Sequence, residues 1–321
     1  VAGMAAIFGL RQLSQRSELF RAVLLVTAAS LLCHLCFELI RMSVLSAEDY
    51  DYGTYLYIIG NGFLLLISYL LLIPFERIFK FTSMVTLVEL SNTNNEILRR
   101  LSEEAPGTFQ HSMQVANLAA EVANALGAKS QLVRTGALYH DIGKLDAPAF
   151  YTENQSGKNP HDNLSYVKSA QIIIGHVKKG IALAEKYRLP DAIREFITTH
   201  HGTSKAKYFY IKYKNEFPLL QVDDSFFTYP GPNPSTIEQA ILMMADSVEA
   251  ASRSLSEYTE ETIGTLVDRI IDGQISEGLF AHCPITFEDI AQAKVVLKDK
   301  LMTIYHTRIS YPELQDPATP N

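Results

Sequence analysis

The chain has 321 residues, 47% hydrophobic and 20% charged, with a formal net charge of −7. That length is enough for one or two domains with a sizeable core, and the acidic balance argues against a general nucleic-acid surface, which would be basic. An anionic small substrate is still compatible, because bound metal ions reverse the local field. A disulfide framework is excluded by the number and position of the cysteines: Cys33 and Cys36 lie inside an apolar run and Cys283 stands alone. Their C-x-x-C spacing lacks the surroundings of a redox or zinc site.

The apolar content is concentrated in residues 1–80. Residues 22–40 (AVLLVTAASLLCHLCFELI) and 55–73 (YLYIIGNGFLLLISYLLLI) each approach the ~20 residues needed to cross a hydrocarbon core. Two such runs with charged flanks suit a transmembrane hairpin better than a pair of buried core helices, and neither resembles a cleaved signal peptide. Arg11, Arg16 and Arg21 precede the first run, and Arg77 and Lys80 follow the second, whereas Glu48, Asp49 and Asp51 lie between them. The positive-inside rule then puts both flanks, and everything after residue 76, in the cytoplasm. The expected location is a cytoplasmic (inner) membrane, crossed more than once, with the lipid bilayer as a partner. Thr27, Ser30, His34 and Glu38 fall on one helical face, and polar stripes of this kind face other helices rather than lipid. Two helices offer little cover, and VAGMAAIFGL at the start reads like the tail of an earlier apolar segment. The expectation is therefore the C-terminal part of a larger polytopic protein, or a homodimer formed through these helices. A proton or ion relay at His34 and Glu38 is a sharper alternative.

Residues 75–101 read as one helix leaving the membrane, so 81–107 is assigned as a linker helix, broken at Pro106-Gly107. The soluble domain is expected over 108–310, with 311–321 as a frayed tail. Helical periodicity places helices at 111–126, capped at Gly127, and at 130–141, 163–187 and 190–200. Ser235-Thr236-Ile237-Glu238 has the capping-box pattern for a helix to Ser254, and further helices are expected near 259–275 and 286–306. The aromatic segment 207–229 reads as a loop or short hairpin. The fold class is all-α, a helical bundle preceded by a transmembrane hairpin.

Metal-compatible residues occur on every expected helix from 111 to 254. His111 opens one, His140-Asp141 closes the next, His176 sits within a third, and His200-His201 ends a fourth. Asp246 lies in the apolar run Ile241-Leu242-Met243-Met244-Ala245, where a bare carboxylate needs a partner. Imidazole and carboxylate together suit divalent transition metals, and helices around one pocket can gather such side chains. Singly, each histidine is more simply a hydrogen-bonded core residue and Asp246 a salt-bridge partner. The pattern takes in five of nine histidines and leaves out His34, His161, His282 and His306.

The order His111, His140-Asp141, Asp246 resembles that of HD-domain metal phosphohydrolases, and His176 with His200-His201 resembles the subset with two metals. The segments Tyr151-Thr152-Glu153-Asn154-Gln155, Asn159-Pro160-His161-Asp162, His200-His201-Gly202-Thr203, Tyr229-Pro230-Gly231-Pro232 and Asp246-Ser247-Val248-Glu249 narrow the resemblance, over about 75–310, to PgpH-type cyclic di-AMP phosphodiesterases. Those proteins place seven transmembrane helices, and an extracellular domain before them, ahead of the HD domain. The resemblance implies one metal on His111, His140, Asp141 and Asp246, and a second on Asp141, His176, His200 and His201, with Asp141 bridging. It implies manganese or iron; the ligand types alone also permit zinc or cobalt. Two metals ~3.5–4 Å apart can activate a hydroxide for in-line attack on a phosphodiester, so the expected reaction is hydrolysis of cyclic di-AMP to linear pApA, with Asp141 and Lys144 as catalytic residues. Lys144 is the candidate contact to a phosphate oxygen, against the alternative of a solvated lysine. Asn154, Gln155 and the aromatic residues of 207–229 are candidates for holding the nucleobase.

Three alternatives stand beside this one. A cyclic di-GMP phosphodiesterase of the HD-GYP type would follow the double histidine with an acidic residue and Gly-Tyr-Pro, whereas this chain reads Gly202-Thr203-Ser204-Lys205. Another HD phosphohydrolase, acting on guanosine polyphosphates, is disfavoured by the double histidine. A membrane receptor that only binds nucleotide has no need of all seven ligands.

Overall fold

The computed structural model describes residues 3, 4, 7, 16–45, 51–79, 81–220 and 222–305. The expectations for VAGMAAIFGL (residues 3, 4 and 7 apart) and Arg11, for Glu48 and Asp49, for Lys80, and for residues 306–321 lie outside the described residues. Among the described residues the regular elements are α-helices and short 3₁₀ turns, with one isolated antiparallel bridge between Lys205 and Thr228. The all-α expectation holds.

Helices α1 (Arg16–Leu45) and α2 (Tyr52–Phe79) pack against each other. Within α1, Phe20–Val44 is long and apolar enough to cross a membrane, with mean hydropathy 2.2, and contains the first expected run. In α2 the apolar stretch is Tyr52–Ser68. Of the polar stripe on α1, Thr27, Ser30 and Glu38 find hydrogen-bond partners within that helix, whereas buried His34 Nε2 has none among the described residues. The Thr27 and Ser30 hydroxyls donate to the carbonyls of Val23 and Val26, both at 2.8 Å, a common way for a helix to absorb a hydroxyl. A Cβ on Gly62 of α2 would lie 2.5 Å from Thr27 Oγ1, so the glycine permits the approach. The His34 ring meets Tyr55 edge-on at 4.6 Å, and buried Glu38 accepts from Arg41 at 2.8 Å.

The single helix expected over 75–101 is instead three segments. After the end of α2 come α3 (Met84–Leu90) and α4 (Glu96–Glu104). Ser83 caps α3 by accepting from Thr86 N, and Asn95 caps α4 by accepting from Ile97 N. The run Ser91–Asn95 is rich in side chains that bond the backbone locally, and these compete with helix continuation.

The remaining bundle comprises α5 (Pro106–Ala125), α6 (Ser130–Tyr139), α7 (Tyr166–Lys186), α8 (Asp191–Thr199), α9 (Lys207–Glu216), α10 (Ile237–Ser252), α11 (Glu260–Ser276) and α12 (Phe287–Tyr305). Pro106 does not break a helix but starts one, at the first-turn position where its missing N–H costs nothing. His111 consequently sits in the second turn of α5 rather than at its opening. The helix cap before α10 is Thr236, not Ser235: its side chain accepts from Gln239 N, while the Gln239 side chain bonds Ser235. The reciprocal capping box occurs at Thr259 and Thr262, opening α11. Segment 207–229 is α9 plus a 3₁₀ turn, Asp224–Phe227, rather than a loop or hairpin. Its aromatic residues Phe209, Tyr210, Tyr213 and Phe227 pack as a small second core against α7. Helix α10 is buried on nearly all sides, from Gln239 to Asp246, which makes it the central element on which α5, α6, α8 and α11 assemble.

Candidate metal centre

The seven candidate ligands come together in one place. His140 is the C-cap of α6 and His200 the C-cap of α8, so two helix C-termini, the negative ends of their dipoles, converge on a position suited to cations. Asp141 follows in the turn that begins the 3₁₀ segment Ile142–Asp146. That turn lies close against α7: a Cβ on Gly143 would stand 1.9 Å from the His176 carbonyl oxygen and 2.5 Å from Gly180 N. Glycine in the His-Asp-x-Gly-Lys sequence is therefore what lets the pair reach His176.

Asp141 divides its oxygens between two groups. Its Oδ1 lies 3.3 Å from His176 Nε2 and 3.7 Å from His200 Nε2. Its Oδ2 lies 3.2 Å from His140 Nε2 and 3.6 Å from His111 Nε2. On the latter side Asp246 Oδ1 is 2.9 Å from His111 Nε2 and 3.5 Å from His140 Nε2. His111, His140 and Asp246 thus form one compact donor group, and His176, His200 and His201 another. His201 packs its ring on Tyr229, with centroids 4.2 Å apart.

Tautomers follow from the backbone. His140 Nδ1 donates to Ala137 O at 2.6 Å, His176 Nδ1 to Ile173 O at 2.6 Å, and His200 Nδ1 to Ile197 O at 2.9 Å. A carbonyl can only accept, so each Nδ1 carries the proton and, in the neutral ring, each Nε2 presents a lone pair to the site. His176 Nε2 and His200 Nε2 nevertheless approach to 3.0 Å, an arrangement that a shared cation relieves. Buried His140 Nε2 and Asp141 Oδ1 also lack hydrogen-bond partners, and such orphans call for an explanation. Neutral imidazoles and carboxylates are the donor set of divalent transition ions, so the residues fit divalent metal.

The electrostatics separate the two groups. Burial and the neighbouring imidazoles hold His200 well below its usual range; burial lowers His176 and takes His201 down to about 3. These rings are neutral at ordinary pH. Burial opposes charge on His140 too, but Asp141 and Asp246 outweigh it and raise that ring to about 10. His111 is raised likewise, against burial, by Asp246 and Glu249. Asp141 and Asp246 stay well below the usual carboxylate range in spite of burial, Asp141 chiefly through Lys144 and His140, Asp246 through His111 and His140.

A cavity of about 530 Å³ opens onto the site, lined by His111, Asp141, Lys144, Thr152, Glu153, His201, Asp246, Ser247, Ala250, Arg253 and Ser254. Lys144 Nζ lies 2.7 Å from Asp141 Oδ2 and 2.8 Å from Glu153 Oε1, so it is neither solvated nor unpaired. Asn154 does not border the cavity. Its Oδ1 accepts from Thr108 N at 3.1 Å and its Nδ2 donates to Thr108 Oγ1 at 2.8 Å, which ties the loop to α5. Gln155 donates to Asn159 at 3.2 Å. This segment presents Thr152 and Glu153 to the cavity instead. His161 donates to Phe150 O outside the centre.

Sequence reasoning missed Glu249, Arg253 and Glu153. Glu249 Oε2 accepts from His111 Nδ1, and its Oε1 accepts from Arg253 Nη2 at 2.7 Å. The signal was present in spacing: Asp246, Glu249 and Arg253 stand three and four residues apart on one face of a buried helix.

Comparison with known proteins agrees with this geometry. The HD domain family model matches residues 108–251, and the model described as 7TM receptor with intracellular HD hydrolase matches residues 1–83. The cyclic-di-AMP phosphodiesterase PgpH of Listeria monocytogenes is 38% identical over 98% of this chain, and that of Bacillus subtilis 37% identical over 98%. Each alignment covers 44% of the relative, so the chain spans less than half the length of these proteins. The crystal structure of the L. monocytogenes PgpH HD domain in complex with cyclic di-AMP superposes with a TM-score of 0.63, at 43% identity, over 67% of this chain and 99% of that one. With α1 and the 7TM match, the chain is a membrane protein. It belongs to the membrane-anchored 7TM-HD family of which PgpH is a member.

Proposed function

We propose that this chain hydrolyses cyclic di-AMP to linear pApA, using two divalent ions, manganese or iron. The observation that carries the proposal is the division of Asp141, whose Oδ1 serves the His176 and His200 side while Oδ2 serves the His111 and His140 side. A single carboxylate placed between two donor groups is what a two-ion site requires. The names of its relatives supply the substrate class. In this reading His111, His140, Asp141 and Asp246 hold one ion, and Asp141, His176, His200 and His201 hold the other. When bound, such ions neutralise phosphodiester charge and bring the pKa of water toward neutrality. The chain's residues then orient the substrate. Lys144, fixed between Asp141 and Glu153 at the cavity wall, aligns a non-bridging phosphate oxygen as a point charge. The imidazoles of His176, His200 and His201 remain neutral because burial disfavours their protonation.

The same proposal puts α1 and α2 across the bilayer, in a multi-pass arrangement with the catalytic domain in the cytoplasm, because the arginines flank the hairpin on that side. Association of two copies through the hairpin belongs to it as well.

The test is full-length chain in detergent, loaded with manganese and given cyclic di-AMP and cyclic di-GMP in parallel, with products resolved by chromatography. Conversion of cyclic di-AMP to pApA with clear preference is expected. Preference for cyclic di-GMP would overturn the substrate assignment and leave the two-ion site standing.

A further inference from the structure

A cyclic dinucleotide carries two phosphodiesters, and the metal-ligand cluster takes only the one that is cut. We infer that Arg253 holds the second phosphate, an inference that rests on the cyclic dinucleotide reading above. Arg253 lines the same cavity as Asp141, His201 and Asp246. It is the C-cap of α10, seven residues after Asp246, about two turns along the same face, or roughly 10 Å of rise. Side chains on a helix lean back toward its N-terminus, so a long arginine there covers part of that distance.

Its guanidinium is held in place from behind. Nε and Nη2 both donate to Glu249 Oε1, at 2.9 and 2.7 Å. Glu249 is 1% exposed, and its other oxygen is occupied by His111 Nδ1. Guanidinium has five N–H donors, and this carboxylate takes two. The Arg253 side chain is 35% exposed, which leaves its outer edge open to a ligand. Lys144, the other cation on the cavity wall, is 13% exposed and lies between two carboxylates beside the cluster itself, so it serves the phosphate at the metals. Ser247, next to Asp246, adds a hydroxyl to the same cavity. Its Oγ accepts from Gln274 Nε2 at 2.9 Å and retains its own proton to donate. A planar fork with donors to spare matches a phosphodiester's two non-bridging oxygens.

The test compares Arg253→Gln and Arg253→Lys with the unaltered full chain, in detergent with manganese. Two substrates are used: cyclic di-AMP and bis(4-nitrophenyl) phosphate, which has a single phosphodiester. Loss of a charge-assisted bond predicts a KM for cyclic di-AMP raised roughly tenfold or more in Arg253→Gln, with a much smaller change in kcat. Arg253→Lys falls between. The ratio of kcat/KM for the dinucleotide to that for the single diester drops by about the same factor. Equal losses on both substrates, or loss of bound manganese by elemental analysis, would overturn the inference by assigning Arg253 to the support of His111 through Glu249. An unchanged KM for cyclic di-AMP would also overturn it. An unaltered chain that cleaves the single diester but not cyclic di-AMP fails the functional reading itself, and the control reveals this before any variant is compared.

Discussion

Glu249→Gln tests whether the two donor groups are separate metal sites. The carboxylate accepts from His111 Nδ1 with one oxygen and from Arg253 with the other. A glutamine keeps one acceptor oxygen and replaces the other with an NH₂ group, so either the imidazole N–H or the guanidinium faces another donor. His111 then loses the partner that fixes its ring and tautomer, while its Nε2 stands 2.9 Å from Asp246. Removing an outer partner of this kind costs 10- to 100-fold in metal affinity, or about 1.4–2.8 kcal/mol. The other group is insulated from the change, because His176 and His200 anchor their Nδ1 protons to carbonyls of their own helices. Manganese titration by equilibrium dialysis should therefore show one site weakened by that factor and one as in the unaltered chain. Hydrolysis should fall with the weakened site and recover at high manganese. Two sites unchanged within twofold would refute the reasoning, and so would two sites lost together.

Asp141→Ala should remove both ions and abolish hydrolysis while the far-ultraviolet helical signal persists; full activity with manganese present would sink the bridging role. Gly143→Ala puts a methyl group against backbone at two points, the His176 carbonyl and Gly180 N, so a loss of about 3 kcal/mol is expected. A urea midpoint equal to that of the unaltered chain would show that the 3₁₀ turn has room to move. Asp268 accepts from Lys298 and pairs with Lys294, which holds its carboxyl below the ordinary value of 3.8. A depressed folded value stabilises above the unfolded pKa and is lost as pH falls through the folded one. Because the pair is half-exposed, Asp268→Asn should cost only about 0.5 kcal/mol at pH 7. The corresponding gap in Tm, about 1–2 °C, should close below pH 4; a gap that widens in acid contradicts this.

The seven ligand candidates were legible because each sits at a position that periodicity can mark: a helix end, as for His140 and His200, or an otherwise apolar face, as for Asp246. Their convergence was not legible from spacing alone, since it depends on Gly143 admitting α7 and on α10 running through the centre of the bundle. Glu249 and Arg253 escaped because acidic and basic residues at helical spacing read equally well as an exposed ion pair. Only burial of Glu249 and its bond to His111 separate the two cases. The aromatic segment 207–229 was misread as irregular because three lysines and a glutamate interrupt its apolar pattern within α9; its order comes from the small core it forms with α7 rather than from an amphipathic face.

The segment between membrane hairpin and bundle shows where local and tertiary forces disagree. Its apolar residues, read along the chain, favour one continuous helix, yet Ser83 and Asn95 cap new starts. The breaks are compensated by packing. Ile97, Leu98 and Leu101 are fully buried in the same core as α5 and α6. Tyr139 Oη donates to Leu90 O at 2.8 Å, and Thr135 Oγ1 lies 3.2 Å from Leu87 O. A straight helix from Phe75 to Leu101 would be ~40 Å long and would carry those residues past α6 instead of across it. The segment is thus not a bare spacer. It is fastened to the helix that ends in His140-Asp141, one residue from the first of the two ligands, so a shift of α3 bears on the backbone that sets the metal centre.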